Sequence, residues 1–116
     1  MDTYLIERTL WQYFFDSFSR IYDGASATLE VMTDDLGAQM EVERQPLLGI
    51  SCDATGIELH LIGRDGTHLT HRIQNPRRVL LLDRNGFTTA IEIESESEPL
   101  MILHLSAIHP SRLLQS

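Results

Sequence analysis

The sequence predicts an α+β domain in which one N-terminal aromatic amphipathic helix packs on an antiparallel sheet of about seven short strands, arranged as a meander or a partly closed barrel. Three observations indicate this fold class. Seven of the eight aromatic residues lie in the first 22 positions, the apolar residues there repeat with helical spacing, and from residue 27 onward apolar and polar residues alternate. We expect one domain over residues 1–116, with the helix at 9–23, the sheet at 27–105 and a tail at 106–116.

The helix is predicted from a stripe of large apolar side chains. They occupy positions i, i+3, i+4, i+7 and i+11 of one helix face: Trp11, Phe14, Phe15, Phe18 and Tyr22. Thr9 is a candidate N-cap, with Gln12 at capping-box spacing, and Gly24 is a natural C-terminal stop. We expect the stripe to pack on the sheet, which leaves Tyr4 and Tyr13 as better candidates for exposed contacts.

The first strands alternate over residues 27–32 and 38–43, and Pro46 separates the second of these from a short run at 48–52. A hairpin over 57–62 and 67–73 follows, with Arg64-Asp65-Gly66 as a three-residue loop and Gly66 in the left-handed region. That loop gives matched pairs on both faces: Leu61 with Leu69, Ile57 with Ile73, and Glu58 with Arg72. A two-residue loop would mismatch the two faces, so we expect the three-residue loop.

A second hairpin is predicted over 77–83 and 87–94, around Asn85-Gly86. Its register is left open, since a two-residue loop pairs Arg77 with Glu94 and a three-residue loop pairs Arg78 with Glu92. The run 79–82 is Val-Leu-Leu-Leu without alternation, which is typical of a strand covered on both faces. A last strand is expected at 100–105, and the role of the tail with Leu113-Leu114 is left open.

Composition excludes several classes of function. The chain has nine Arg, no Lys and seventeen acids, for a net charge of −8, so we expect no nucleic-acid partner and no anionic membrane partner. No run approaches the roughly 20 apolar residues that span a bilayer, and the N-terminus lacks the apolar region of a signal peptide. The single Cys52 excludes an intrachain disulfide framework. We therefore expect a soluble cytoplasmic domain.

Two histidines are candidates for ligand binding. His60 and His68 share a sheet face at diagonal spacing in the predicted hairpin, where they could hold a metal together with one carboxylate. Two ligands are too few for a firm zinc site, so we predict solvated histidines, no metal and no cofactor. The pattern His68-x-x-His71 is not a ligand pair, because an offset of three on a strand points the side chains to opposite faces.

Two other side chains lie on apolar faces. His71 falls between Leu69 and Ile73, so we expect a buried neutral histidine bonded to a carbonyl or an acid, with a general base or a pH-sensitive core residue as the alternative. Cys52 follows Leu48 and Ile50 at alternate positions and is expected to be a buried, inert thiol.

The remaining candidates are charged. Arg72, Arg77 and Arg78 form the only basic cluster, which could bind a carboxylate or a phosphate, although cross-strand pairing with Glu58 and with Glu92 or Glu94 is the simpler interpretation. Four acids alternate in what would be one extended run and are expected to form a solvated face: Glu92, Glu94, Glu96 and Glu98.

Several separated blocks together resemble a family of small bacterial proteins catalogued only as a domain of unknown function. The blocks include Trp11-x-x-Phe14-Phe15-Asp16-x-Phe18-Ser19-Arg20, Pro46-Leu47-x-Gly49, His68-x-Thr70-His71-x-Ile73 and Ala90-Ile91-Glu92-Ile93-Glu94-Ser95. The resemblance covers about residues 4–105. It implies a stand-alone bacterial cytoplasmic domain and assigns no catalytic residues.

The sequence contains no nucleophile elbow, P-loop, dinucleotide fingerprint or zinc-protease motif. We therefore expect a non-enzymatic module that binds a protein partner or itself, through a sheet edge or the C-terminal tail. The alternative is a small-ligand or metal-binding domain, possibly hydrolytic, that uses sheet-face residues: His60, His68, His71, Arg72 and Arg78. RNA binding in a small barrel of the Sm type is a third hypothesis, which the acidic charge disfavours.

Overall fold

The computed structural model describes residues 2–106, which form one short 3-10 helix, one α-helix and eight strands. The elements follow in this order: β1 (Asp2–Ile6), the 3-10 helix (Arg8–Leu10), α1 (Trp11–Tyr22), β2 (Ser26–Thr33), β3 (Gly37–Cys52), β4 (Gly56–Ile62), β5 (His68–Gln74), β6 (Pro76–Arg84), β7 (Phe87–Ser95) and β8 (Leu100–Leu105). The predicted tail lies outside the described residues, apart from Ser106.

The prediction of one N-terminal helix on an antiparallel sheet is confirmed. The strands form a single sheet in the order β1-β6-β7-β8-β2-β3-β4-β5, with every neighbouring pair antiparallel. The sheet is not closed, and two runs of consecutive strands, β6-β7-β8 and β2-β3-β4-β5, join where β8 pairs with β2. The sheet ends in two edge strands, β1 and β5. The first of these was not expected, since only the later part of the chain was assigned to strands.

Strand β3 is continuous through Pro46, where the sequence predicted a break. Its first part pairs with β2 as far as Pro46, and its second part pairs with β4 from Leu47 onward. Proline is tolerated because it stands where the strand changes partner, so its missing N–H removes no ladder bond. This switch frees one side of Leu47–Cys52, and the chain between α1 and β2 occupies part of it through hydrogen bonds of Leu47 with Gly24 and Ala25.

Helix α1 packs mainly against β3. The Ser19 hydroxyl accepts a hydrogen bond from the Ile50 N–H at 2.8 Å and donates one to the Ile50 carbonyl at 3.1 Å. A Cβ on Gly49 would lie 3.1 Å from the Ser19 Oγ, so glycine at this position permits the close approach of helix and strand. One side chain therefore satisfies both backbone groups of a strand residue at the helix–sheet contact.

The aromatic stripe packs into the core as predicted. Trp11, Phe15, Phe18 and Tyr22 are buried and Phe14 is half-buried against them. They share one cluster with apolar residues of β2 to β8: Ala27, Leu29, Val31, Leu47, Ile50, Ile57, Leu59, Leu61, Ile73, Val79, Ile91, Ile93, Met101, Leu103 and Leu105. The helix and the inner face of the sheet thus form a single hydrophobic core.

The helix start differs from the prediction. α1 begins at Trp11, its N-cap is Leu10, and no side chain caps it, so the Thr9 capping box is wrong. Local side-chain contacts lie at the helix start instead: the Trp11 indole N–H donates to the Ile6 carbonyl at 2.8 Å, and the Arg8 guanidinium lies 4.8 Å from the indole ring. The helix ends at Tyr22, and Gly24 has a positive φ of 83°, as expected of a stop residue.

The predicted register of the β4–β5 hairpin is confirmed at every pair: Leu61 opposes Leu69, Ile57 opposes Ile73 and Glu58 opposes Arg72. Gly66 has a φ of 83°, as the three-residue loop requires. The β6–β7 hairpin follows neither expected register. It begins as a two-residue turn with positive φ at Asn85 and Gly86, and a bulge next to Leu82 and Asp83 then shifts the pairing.

Candidate functional site

The face of β3, β4 and β5 that points away from the core carries most of the predicted site residues. His60 and His68 lie side by side, with ring centroids 5.5 Å apart, as their diagonal spacing predicted. The His60 Nε2 lies 3.0 Å from the Ser51 hydroxyl, and its Nδ1 lies 3.3 Å from the Thr70 hydroxyl. Both ring nitrogens of His60 are therefore already within hydrogen-bond distance of side chains.

A carboxylate links His60 to Arg72. One Glu58 oxygen lies 3.7 Å from His60 Nε2, and the other accepts a hydrogen bond from Arg72 Nη1 at 3.3 Å. In hydrolytic triads the orienting acid binds the ring nitrogen that faces away from the nucleophile. Here Glu58 and the Ser51 hydroxyl both approach Nε2 of His60, so Ser51, His60 and Glu58 are not arranged as a catalytic triad.

Arg72 is held by a set of acceptors in the β3–β4 turn. Its two terminal nitrogens each lie 3.1 Å from an oxygen of Asp53, and Nη2 also donates to the Thr55 hydroxyl at 2.8 Å. A Cβ on Gly56 would lie 2.7 Å from the Arg72 guanidinium, so only glycine leaves room for it. The predicted pairing of Arg72 with Glu58 is confirmed, and Asp53 is a stronger partner that sequence reasoning missed.

This ion pair changes the ionisation of both partners. The Arg72 guanidinium holds the pKa of the Asp53 carboxyl well below its usual range, with further help from the Thr55 and Gly56 backbone N–H groups. The Asp53 carboxylate in turn raises the pKa of Arg72. The Arg72 guanidinium therefore connects β5 to the β3–β4 turn through its bonds to Asp53 and Thr55.

Arg78 lies on another strand, β6, and forms an ion pair with Glu94 of β7. The two alternatives left open in the sequence, Arg77 with Glu94 and Arg78 with Glu92, are both wrong because the bulge shifts the register by one residue. The predicted run of four acids is also interrupted: β7 ends at Ser95, and Glu96 and Glu98 lie in the connection to β8. Glu98 accepts a hydrogen bond from the Gln74 N–H at 2.9 Å.

His71 and Cys52 are only half-buried. His71 opposes Leu59, as predicted, but its Nε2 is buried and has no hydrogen-bond partner within residues 2–106, so the expected bond to a carbonyl or acid is absent at that nitrogen. Burial raises the pKa of the Cys52 thiol, and the nearby Asp16 and Asp53 charges act in the same direction. The thiol is therefore kept protonated, in line with the expected inert cysteine.

A groove lies between α1 and the two histidines, and we call it the histidine groove. Its volume is about 430 Å³, and it is lined by Asp16, Ser19, Arg20, Leu48, Gly49, Ile50, Ser51, His60 and His68. Over the described range 2–106, no three His, Cys, Asp or Glu side chains are placed to hold a metal ion. The groove instead offers imidazoles, hydroxyls, the Asp16 carboxylate and the Arg20 guanidinium around an apolar floor.

A second groove, the apolar groove, lies on the other flank of α1. It has a volume of about 420 Å³, and the helix and the β6–β7 turn line it with Phe14, Ser17, Phe18, Ile21, Tyr22, Gly86, Phe87 and Thr88. At its base the Tyr22 hydroxyl accepts a hydrogen bond from the buried Thr88 N–H at 2.8 Å. The groove thus joins the helix directly to a turn that lies 66 residues later in the chain.

Sequence reasoning missed the apolar groove. Tyr4 and Tyr13 are exposed, as expected, but Leu10, Ile21 and Phe87 are also large apolar side chains with 52%, 46% and 41% of their surface exposed. A signal was available, because Leu10 and Ile21, with Phe14 of the buried stripe and the polar Ser17 between them, form a second stripe at helical spacing. The position of Phe87 was not available, since it depends on how the sheet folds back to the helix.

A comparison with known proteins gives the relatives of the chain. A family model described as "Family of unknown function (DUF5335)" matches residues 2–113. An "Uncharacterized protein" of Aquifex aeolicus (strain VF5) is 31% identical over 110 residues, which are 95% of this chain and 97% of that protein. No solved structure matches. The resemblance inferred from the residue blocks, to a family of unknown function with bacterial members, is confirmed.

Proposed function

We propose that this chain, which belongs to the family of unknown function DUF5335, is a non-enzymatic module that binds a protein partner through the apolar groove and the exposed flank of α1. The observation that carries the proposal is the cluster of exposed apolar side chains on this flank. Leu10, Tyr13, Ile21 and Phe87 are all more than two-fifths exposed, and Ile21 and Phe87 line the apolar groove together with the half-buried Phe14. Exposed apolar groups gathered around a concavity are typical of interaction sites.

The contrast between the two flanks of α1 favours this surface. The opposite flank carries Gln12, Asp16, Ser19, Arg20 and Asp23. An amphipathic helix needs only one apolar stripe to pack on a core, and in α1 the buried aromatic stripe serves that purpose. The second stripe therefore calls for a separate explanation, and a partner that covers Ile21 and Phe87 provides one.

The expected partner presents apolar side chains to the groove. Aromatic and branched aliphatic residues are the usual anchors at the centre of such interfaces, where water is excluded. The net charge of −8 favours a neutral or basic partner surface over an acidic one. We also propose a cytoplasmic location, which suits a chain whose single cysteine, Cys52, cannot form an intrachain disulfide. No helix in the described range could span a membrane.

The experiment compares partner capture by the wild-type chain and by Ile21→Glu. Proteins that the immobilised wild type retains and the variant loses are identified by mass spectrometry, purified and titrated. A charge placed among apolar anchors should cost about 2 kcal/mol of binding free energy, or about 30-fold in Kd. Phe87→Ser should weaken the same interaction.

The matched control is Leu36→Glu. Leu36 is 71% exposed in the β2–β3 turn, so this variant makes the same kind of change at a site away from α1. The control should bind like the wild type. If Ile21→Glu binds every purified partner as tightly as Leu36→Glu does, the α1 flank is not the binding surface.

A small-ligand function is the second candidate, and the histidine groove favours it. Arg20 and His68 line one concavity beside His60, and the Arg20 guanidinium suits a small anion such as a carboxylate or a phosphate, although the Asp16 carboxylate lines the same groove. Titration with inorganic phosphate and with zinc chloride, followed by calorimetry, tests it. Binding that His60→Ala and His68→Ala both weaken, and that Ile21→Glu leaves unchanged, would favour this function over partner binding.

A further inference from the structure

One edge of the sheet is open. β1 stands at the end of the strand order, and within residues 2–106 no strand pairs with its outer side. Its middle residues are accessible, with 48% of Tyr4 and 59% of Leu5 exposed. The outer N–H and C=O groups of an edge strand are a template for another strand.

The other edge of the sheet, β5, is occupied at one end. There the Gln74 N–H donates to the Glu98 carboxylate at 2.9 Å. β1 has no Lys, Pro or Gly, and its pairing with β6 runs from Asp2 to Ile6 without a bulge. Proteins commonly block edges with such devices. β5 lacks them as well, so the choice of β1 rests on the occupied Gln74 N–H at the end of β5 and on the self-complementary register that β1 allows.

We propose that the outer side of β1 pairs antiparallel with β1 of a second copy of this chain. A two-fold axis between antiparallel strands passes between two identical residues. Tyr4 is the central residue of β1, so an axis there uses the whole strand. Asp2 then opposes Ile6 of the partner subunit, Thr3 opposes Leu5 of the partner subunit, and the two copies of Tyr4 oppose each other.

This register is self-complementary. No like charges face each other, because Asp2, the only charged residue of β1, lies opposite an isoleucine. The two tyrosines form an aromatic pair on one face of the extended sheet. On the other face Leu5, which neighbours Leu80 of β6, comes within diagonal reach of Leu5 of the partner subunit. An axis at Thr3 or Leu5 would leave part of the strand unpaired.

The proposal rests on a different surface from the apolar groove, so the two can fail separately. The first test is sedimentation equilibrium of the full chain over a range of concentrations. The wild type should associate towards twice its 13.2 kDa mass. Leu5→Lys, which adds an edge lysine, should weaken the dimer about tenfold or more, whereas Leu36→Lys in the β2–β3 turn should leave it unchanged.

The second test is a disulfide trap in the Cys52→Ser background, which removes the native thiol. Opposed residues in an antiparallel pair have Cα atoms about 4.5–5.5 Å apart, which suits a disulfide. Tyr4→Cys should therefore cross-link into a dimer under mild oxidation, and Asp2→Cys, whose copies lie at opposite ends of the paired strands, should not. A monomeric wild type, a dimer unaffected by Leu5→Lys, or equal cross-linking of the two cysteine variants would overturn the proposal.

Discussion

The two hydrogen bonds between Ser19 and Ile50 should add measurably to the free energy that holds α1 on the sheet. In Ser19→Ala the Ile50 N–H and carbonyl both lose their side-chain partner. An unsatisfied backbone group at a part-buried site costs about 1–3 kcal/mol, and alanine returns about 0.5 kcal/mol through its higher helix propensity. We therefore expect Ser19→Ala to lower the free energy of unfolding by about 2 kcal/mol.

Urea unfolding followed by tryptophan fluorescence measures this directly, because Trp11 is the only tryptophan and is buried in the core. Ser17→Ala is the matched control. It lies on the same helix and gains the same propensity, but its hydroxyl only accepts a long hydrogen bond of 3.4 Å from Arg20. Equal midpoints for the two alanine variants would refute the account of how α1 is anchored.

Four further outcomes are expected. Tyr22→Phe removes the acceptor of the buried Thr88 N–H and should cost about 1–3 kcal/mol in urea unfolding, whereas Tyr13→Phe on the exposed side should cost nothing measurable. Asp53→Asn should be less stable than the wild type at pH 7; because the pKa of Asp53 is lowered in the folded state, this difference should shrink as the pH falls below 3.8, and a constant difference would contradict it. Ile21→Glu should weaken partner binding about 30-fold with an unchanged urea midpoint. In sedimentation equilibrium, Leu5→Lys in β1 should lower the dimer fraction, whereas Ile21→Glu and Asp53→Asn should leave it unchanged.

Local rules predicted the parts of the fold in which neighbours in sequence are neighbours in space. The β4–β5 register followed from face matching and from one left-handed glycine, Gly66. The aromatic stripe of α1 followed from helical spacing. In both cases the residues that carry the prediction lie close together in the sequence.

Features that depend on distant parts of the chain could not be predicted in this way. β1 has only five residues, and it forms a strand because it pairs with β6, more than 70 residues later in the chain. The bulge beside Leu82 decides the partner of Arg78, and no turn residue signals it. Pro46 appeared to end a strand, but it stands where β3 changes partner, which only the topology reveals.

In the candidate sites, too, contacts within one hairpin could be predicted, and contacts between distant segments could not. The proximity of His60 and His68 followed from the hairpin register, and so did the Glu58–Arg72 pair. Asp53 was missed because its role arises from a turn that folds back over Gly56. The apolar groove forms only because Phe87 lies beside α1 in the folded chain, so only the residues that α1 contributes could be predicted from the sequence.

Amide hydrogen exchange of the full chain, with and without a saturating purified partner, tests the proposed binding surface most directly. The account predicts slower exchange on binding in α1, from Tyr13 to Tyr22, and in the β6–β7 turn at Gly86–Thr88. Exchange in β4 and β5 should stay unchanged. Protection confined to His60, His68 and their strands, with none in α1 or at Phe87, would contradict the account and assign binding to the histidine groove.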